Sequence, residues 1–273
     1  MAGADRAGVS VAAAPSLGDL LRGRVVPVAA LAVLAAASWV WLRIAAGRMA
    51  GAMAMSAMPG MRMAGGEGHW TPAALSLTLA MWSAMMVGMM LPSAAPMILT
   101  FETVNRRRRA RGDGYVATAV FTAGYLIVWG LFGVAATLAQ AGLASAALLS
   151  PSMRASSPAV AGVLFVAAGV WQLTPLKHAC LRSCRSPFDF VVNRWRDGRA
   201  GALRMGLAHG VQCLGCCWML MVLMFALGAM NLLWMAAVAG VVFVEKLFPA
   251  GPWIARGGGV AMLLAGGWLL ATA

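Results

Sequence analysis

The fold of this chain is decided by a run in its last third, which places soft metal ligands in a segment apolar enough for a bilayer. It reads His209-Gly-Val-Gln-Cys213-Leu-Gly-Cys216-Cys217-Trp-Met219-Leu-Met221-Val-Leu-Met224. On a helix with about 100° per residue, the imidazole and the three thiols share an arc of about 100°. Met205 and Met224 extend this stripe of soft donors to roughly 28 Å. Because thiolates and thioethers select Cu(I) and similar thiophilic metals, the stripe predicts a soft-metal site.

The composition places the whole chain in a membrane. It has 273 residues, of which 62% are hydrophobic and 11% are charged, whereas a soluble domain carries about 25% charged residues. The net charge of +13 comes from 21 Lys and Arg that cluster in a few segments, as expected for topology signals and lipid headgroup contacts. The chain has no nucleic-acid-binding motif, so nucleic acid is not an expected partner.

Seven apolar runs, each near the ~20 residues that a bilayer requires, predict an all-α polytopic transmembrane helix bundle of about seven spans. The predicted helices are 25–46, 71–101, 115–141, 158–175, 203–227, 231–248 and 257–272. The remaining predicted segments are a disordered tail at 1–24, an outer loop at 47–70 and basic loops at 102–114 and 177–204, with 25–273 forming a single transmembrane domain.

The distribution of basic residues predicts the orientation of the bundle. The tail, the two basic loops and the 246–256 turn hold 17 Lys and Arg, and the opposite side holds 4. By the positive-inside rule, the N-terminus is cytoplasmic and the C-terminus lies outside. We therefore expect a multi-pass protein of a bacterial inner (cytoplasmic) membrane.

The predicted outer loop is rich in methionine. Six thioethers occur within residues 49–63, among Ala, Gly, Ser and Pro residues that are too small to form a core. Thioethers need no deprotonation and hold Cu(I) where thiols would oxidise. This pattern predicts metal capture, and the alternative is a flexible loop lying on the bilayer. The candidate ligands are Met53, Met55, Met58, Met61, Met63 and His69.

The predicted 71–101 helix carries a second set of thioethers. Met81, Met85 and Met89 fall within about 80° of one another, and Met86, Met90 and Met97 lie on the other side. Methionine is also a flexible filler of helix contacts, which is the alternative reading. One helix cannot complete a coordination sphere, so we expect the sulfur of Met85 or Met89 to approach the thiols at 213, 216 and 217. Pro92 and Pro96 free backbone carbonyls that would line a path.

Two further pairs lie in or near predicted cytoplasmic segments. If the backbone is helical, Cys180 and Cys184 are one turn apart, which suits a two-thiolate Cu(I) site or a reversible dithiol. The alternative is a pair of reduced surface cysteines. Glu245 and Lys246 lie near the end of the predicted 231–248 helix, where snorkelling to the interface is favoured over a gating pair.

Several motifs resemble those of the family of predicted metal-binding integral membrane proteins, some of which are described as copper chaperones. The resemblance covers about residues 75–270 and implies metal handling. It rests on Met81-Trp82-x-x-Met85-Met86-x-x-Met89-Met90-Leu91-Pro92, Gly124-Tyr125 with Trp129, Gln172-Leu173-Thr174-Pro175-Leu176-Lys177, Cys180 with Cys184-Arg185-Ser186-Pro187, Cys213-Leu214-Gly215-Cys216-Cys217-Trp218, and Glu245-Lys246.

These observations predict a non-enzymatic membrane protein that binds and transfers or transports a soft metal ion. Cu(I) is the expected ion, and no nucleotide or organic cofactor is expected. Its partners would be membrane lipids, the metal ion, and a metallochaperone or a copper-dependent membrane enzyme. Three alternatives stay open: a mercuric-ion-type transporter, a transmembrane thiol–disulfide oxidoreductase, and a structural or assembly subunit of a membrane complex.

Overall fold

A computed structural model describes residues 17–56, 70–150 and 153–273 of the chain. These ranges form α-helices throughout, joined by short turns and one isolated bridge between Leu149 and Ala155. The helices are α1 (Leu17–Ser56), α2 (Pro72–Arg109), α3 (Thr118–Ser145), α4 (Pro158–Leu173), α5 (Pro175–Arg185), α6 (Pro187–Asn193), α7 (Gly198–Val222), α8 (Met224–Leu227), α9 (Leu232–Leu247) and α10 (Gly251–Ala271).

The described helices make an all-α, multi-pass membrane bundle, which confirms the predicted fold class. Five stretches are long and apolar enough to cross a bilayer: part of α1, all of α2, α3 and α10, and α7 together with α8. The α4–α5 pair, bent by 63°, is a sixth if it counts as one span. The predicted 231–248 span corresponds to α9, which has only 16 residues. The count of seven spans and the locations of the termini stay predictions.

The first helix is longer than predicted at both ends. α1 begins within the predicted disordered tail and continues through the first ten residues of the predicted outer loop. This extension follows from local preference, since residues 45–56 are mostly Ala, Met and Arg, which are strong helix formers. The backbone of Met53 and Met55 is therefore helical. The rest of the predicted tail, and Met58, Met61, Met63 and His69, lie outside the described residues.

Both predicted basic loops are largely helical, which corrects their assignment. α2 continues to Arg109, and the four arginines of its last turn complement the negative end of the helix dipole. The 177–204 stretch holds most of α5, all of α6 and the start of α7. The Thr174 side chain caps α5 by accepting a hydrogen bond from the Lys177 backbone N–H. A cluster of charged residues in this chain therefore does not mark a loop.

Close packing of α3 on α7 organises the centre of the bundle. A Cβ on Gly206 would overlap the carbonyl oxygen of Phe121, and a Cβ on Gly124 would overlap that of Leu203. Small residues let membrane helices approach in this way. α3 also packs on α2, α5 packs on α7, and α9 contacts both α2 and α5. Five helices therefore surround one buried region.

Candidate metal centre

Five sulfur-bearing side chains from three helices meet in the buried region, and we call them the sulfur cluster. They are Met90 of α2, Cys184 of α5, and Cys213, Cys216 and Cys217 of α7. Cys217 Sγ lies 3.7 Å from Met90 Sδ, and Cys184 Sγ lies 4.0 Å from Cys216 Sγ. Cys184 also interacts with Cys213. Cys184 is half-buried and the other four side chains are buried.

Docking of α5 on α7 brings together two sites that were predicted to be separate. Cys180 and Cys184 lie one turn apart on a helix, as the spacing predicted. They are not an isolated cytoplasmic pair, because α5 lies against α7. A Cβ on Gly215 would come within 2.8 Å of Cys180 Sγ, so the absence of a side chain there lets Cys180 approach the α7 backbone. The thiols of α5 and α7 therefore lie together where these two helices pack.

The thioether that approaches the thiols comes from the other side of α2 than expected. Met81, Met85 and Met89 are buried, but the sulfur beside Cys217 belongs to Met90. Helical angle did not predict the right methionine because α2 is packed on several sides, by α1, α3 and α9. Both sets of methionines on α2 therefore face other parts of the protein. Their angles around the helix do not show which set meets the thiols.

One carbonyl freed by proline has a local structural partner. Pro92 lacks the N–H that would bond the carbonyl oxygen of Gly88, four residues earlier. That oxygen instead accepts a hydrogen bond of 3.2 Å from the Trp39 indole of α1. At this position the freed carbonyl therefore joins two helices.

Cys213 is surrounded by polar groups that sequence reasoning did not assign to the site. Lys246 Nζ lies 3.0 Å from Cys213 Sγ and donates to Ser93 Oγ at 3.0 Å. Tyr125 Oη lies 3.1 Å from the same sulfur and donates to the Met90 carbonyl oxygen. One feature of the sequence pointed to Tyr125, namely its place in the Gly124-Tyr125 pair of the family motifs. These contacts put a buried ammonium directly against a buried thiol.

Glu245 and Lys246 are both buried, with exposed fractions of 1% and 6%, so the favoured snorkelling interpretation is wrong. Glu245 accepts hydrogen bonds from Lys177 Nζ at 2.7 Å and from the Gln172 amide at 2.8 Å. Lys246 reaches Cys213 instead. The two neighbouring side chains therefore belong to different networks, because successive residues of a helix point about 100° apart.

His209 sits among aromatic rings one turn before Cys213. Its ring stacks on Tyr125 at a centroid distance of 5.3 Å and on Phe121 at 6.2 Å, and Phe190 meets it edge-on at 5.7 Å. The side chain is buried, and neither Nδ1 nor Nε2 has a hydrogen-bond partner in the described part of the chain. An unpartnered buried imidazole is compatible with a ligand, and that role stays a prediction.

Two of the three thiols of α7 are turned toward their own backbone. Cys216 Sγ and Cys217 Sγ donate to the Cys213 carbonyl oxygen at 3.0 and 2.9 Å. Accordingly, within residues 17–56, 70–150 and 153–273, no group of three or more His, Cys, Asp or Glu side chains is arranged to hold a metal ion. Rotation of these side chains about χ1 would be needed to point three thiols at one ion.

Comparison with protein families supports the motif resemblance. A family model described as PpoB2, copper chaperone, matches residues 79–269, which is well over half of the chain. The matched range agrees with the 75–270 range of the motifs and includes every residue of the sulfur cluster. Comparisons with curated proteins and with solved structures gave no match.

Proposed function

Because the chain belongs to the PpoB2 copper chaperone family, we propose that it binds Cu(I) in the sulfur cluster and passes the ion to an acceptor protein. The observation that carries this proposal is the meeting of thiols from α5 and α7 with a thioether from α2. Soft sulfur donors of both kinds select Cu(I). A protein that hands on its metal also needs ligands that exchange, and a mixed set of thiolates and a weaker thioether provides them.

The charge around Cys213 supports a thiolate-based Cu(I) site. Two thiolates and one Cu(I) carry a net charge of −1, which is costly to bury unless it is paired. Lys246 Nζ lies 3.0 Å from Cys213 Sγ and supplies the compensating positive charge. Cys213 would be the first ligand, Cys217 or Cys184 the second, and Met90 the third.

Ligand exchange along α5 gives the ion a way out of the cluster. Cys184 faces Cys216 across 4.0 Å, and both Cys184 and Cys180 are half-buried. Each step would replace one Cu–S bond with another, with no change of oxidation state and no hydrated pore. The ion would move from the fully buried thiols of α7 to the more accessible thiols of α5, toward the predicted cytoplasmic side.

The test is the Cu(I) affinity of the purified protein in detergent, measured with a chromophoric Cu(I) competitor. We expect Cys213→Ser to weaken binding by roughly 100-fold, the scale expected when a metal ligand or its direct support is lost. Met90→Leu, which conserves volume, should weaken binding less. Met235→Leu, at a buried methionine outside the sulfur cluster, is the matched control for Met90→Leu and should bind like the wild type. Wild-type affinity in Cys213→Ser would contradict the proposal.

A thiol–disulfide relay is the second candidate, and the Cys184–Cys216 pair favours it. These two thiols come from different helices and lie 4.0 Å apart, so oxidation would link α5 to α7. If the wild type binds neither Cu(I) nor Hg(II), yet mass spectrometry finds a Cys184–Cys216 disulfide after mild oxidation, the relay replaces the chaperone. Retention of Hg(II) in preference to Cu(I) would instead favour a mercuric-ion transporter.

A further inference from the structure

Four methionines from separate parts of the chain line one cavity about 440 Å³ in volume, well away along α2 from the sulfur cluster. We call it the methionine cavity. The four residues are Met49 of α1, Met81 of α2, Met153 of the turn before α4, and Met230 of the turn before α9. Met81 is one of the predicted metal ligands, and Met49 begins the methionine-rich run at 49–63. Convergence of all four is a product of the fold.

The sulfur of Met153 is held in place by a chain of hydrogen bonds. Gln140 Nε2 donates to Met153 Sδ at 3.0 Å, and the oxygen of the same amide accepts from the Trp82 indole at 2.8 Å. Met153 also has a φ of +57°, a left-handed conformation that is uncommon for residues other than glycine. Such strain persists where the surroundings fix it, and here they fix a thioether on the cavity wall.

The same turn is tied to the turn that carries Met230. The Ala229 backbone N–H donates to the Met153 carbonyl oxygen at 3.3 Å, so a backbone hydrogen bond joins the two turns that carry Met153 and Met230. Met81 lies opposite, on a helix of the core, and its side chain is only 4% exposed. The Met153 thioether is therefore held by a hydrogen bond and the Met81 side chain by burial.

The chemistry of the lining excludes hard cations. The described residues that line the cavity include no Asp or Glu, and the charged residue among them is the exposed Arg48. Mg²⁺ and Ca²⁺ require oxygen ligands and carboxylate charge. Cu(I) and Ag(I) bind neutral thioethers without it. The lining therefore selects a soft monovalent cation.

Buried methionines on α2 connect the cavity to the sulfur cluster. Met81, Met85 and Met89 are spaced by four residues, about 6 Å of helix rise each, and all are buried. Met90 follows, and its sulfur meets Cys217. Met90 lies about 100° around the helix from Met89, so the last exchange between thioethers would cross from one face of α2 to the other.

We propose that the methionine cavity is a second Cu(I) site, made of thioethers alone, which exchanges its ion with the sulfur cluster. This inference rests on the proposed function, because the ion it holds is the one the cluster handles. The two sites have different ligands, so each can be removed without touching the other. No electron is transferred, since Cu(I) keeps its oxidation state as one Cu–thioether bond replaces another.

The first experiment counts ions bound by the full-length protein, with Ag(I) as an air-stable probe and equilibrium dialysis as the measurement. We expect Met81→Leu/Met153→Leu to bind one ion fewer than the wild type. Met221→Leu/Met235→Leu is the matched control, since both residues are buried and neither lines the cavity. It should bind the wild-type number. If the cavity variant also binds the wild-type number, the cavity site is overturned.

The second experiment removes the cluster instead. Cys184, Cys213, Cys216 and Cys217 are changed to Ser in selenomethionine-labelled protein, and X-ray absorption is recorded at the selenium edge after loading with Cu(I). A copper neighbour at selenium is expected, and its absence would overturn the cavity site. A full ion count in this variant would instead contradict the sulfur cluster. A wild type that binds no ion would overturn both sites.

Discussion

Two adjacent residues of α9 bury their charged ends in two different networks. Glu245 meets the opposite charge of Lys177 at 2.7 Å, and Gln172 donates a further hydrogen bond to the carboxylate. Lys246 meets the thiol of Cys213 and the hydroxyl of Ser93, both at 3.0 Å. The Glu245 network is charge-balanced from the start. The Lys246 network reaches balance only when a thiol gives up its proton.

The difference separates a structural network from a chemical one. In a carboxylate–ammonium pair each charge compensates the other, and removal of one partner leaves an uncompensated buried charge. A thiol can keep its proton, so an ammonium beside it faces a group with two accessible states. That second arrangement suits a site where a cation arrives and leaves. The carboxylate–ammonium pair suits the bend between α4 and α5, where the Glu245 network ties both helices to α9.

The largest effect is expected from breaking the Glu245 network. Lys177→Met leaves Glu245 buried without its counter-charge, which should lower the free energy of unfolding by about 3–5 kcal/mol. Unfolding in a graded denaturing detergent measures it. The control is Asp197→Asn, which breaks an exposed ion pair with Arg108 and should cost less than about 1 kcal/mol. If both variants lose the same free energy of unfolding, the buried Glu245 network stabilises the fold no more than an exposed ion pair does.

A smaller loss of stability, with a larger loss of copper affinity, is expected from Lys246→Met. Cys213 can stay protonated when the ammonium is absent, so the free energy of unfolding should fall by about 1–3 kcal/mol, the range for a lost buried hydrogen-bond partner. Cu(I) affinity should fall roughly tenfold, because the anionic complex loses its counter-charge. Folded Lys177→Met protein should keep its affinity. If the two variants lose affinity equally, the networks are not distinct.

The smallest effect is expected from His209→Phe. Neither ring nitrogen has a hydrogen-bond partner in the described residues, and the new ring fits among Tyr125, Phe121 and Phe190. The free energy of unfolding should change by about 1 kcal/mol or less, because no hydrogen bond is broken. Cu(I) affinity should be unchanged. A clear drop in affinity at unchanged stability would instead make His209 a ligand, as its place on the α7 stripe first predicted.

Local sequence properties predicted most of the fold and the chemical nature of the site. Apolar runs gave the core segments of α2, α3, α4, α7 and α9, because hydropathy is a property of consecutive residues. Apolar runs did not predict where helices end within the basic segments, because a charged residue can still favour a helix. The helical spacing of the α7 thiols was enough to predict that they share one face. The family motifs were recognised from the residues themselves.

The donor partners lay beyond local reasoning. Met90 and Cys217 are 127 residues apart in the chain, and Ser93 and Lys246 are 153 apart. Periodicity assigns each residue to a face of its own helix, but it does not say which neighbour that face meets. Met85 and Met89 were reasonable candidates on this basis, but the tertiary packing places Met90 beside Cys217.

The sequence by itself therefore determined a membrane-embedded, all-helical protein with soft donors concentrated on two of its helices and in a methionine-rich segment. Only the tertiary structure decided that the thiols of α5 and α7 form one cluster, that Lys246 lies against Cys213, and that four distant methionines line one cavity. The physical reason is the distance along the chain over which each effect acts. Hydropathy, capping and spacing act over a few residues, whereas close approach of helices depends on glycines and side-chain shapes from segments far apart in the chain.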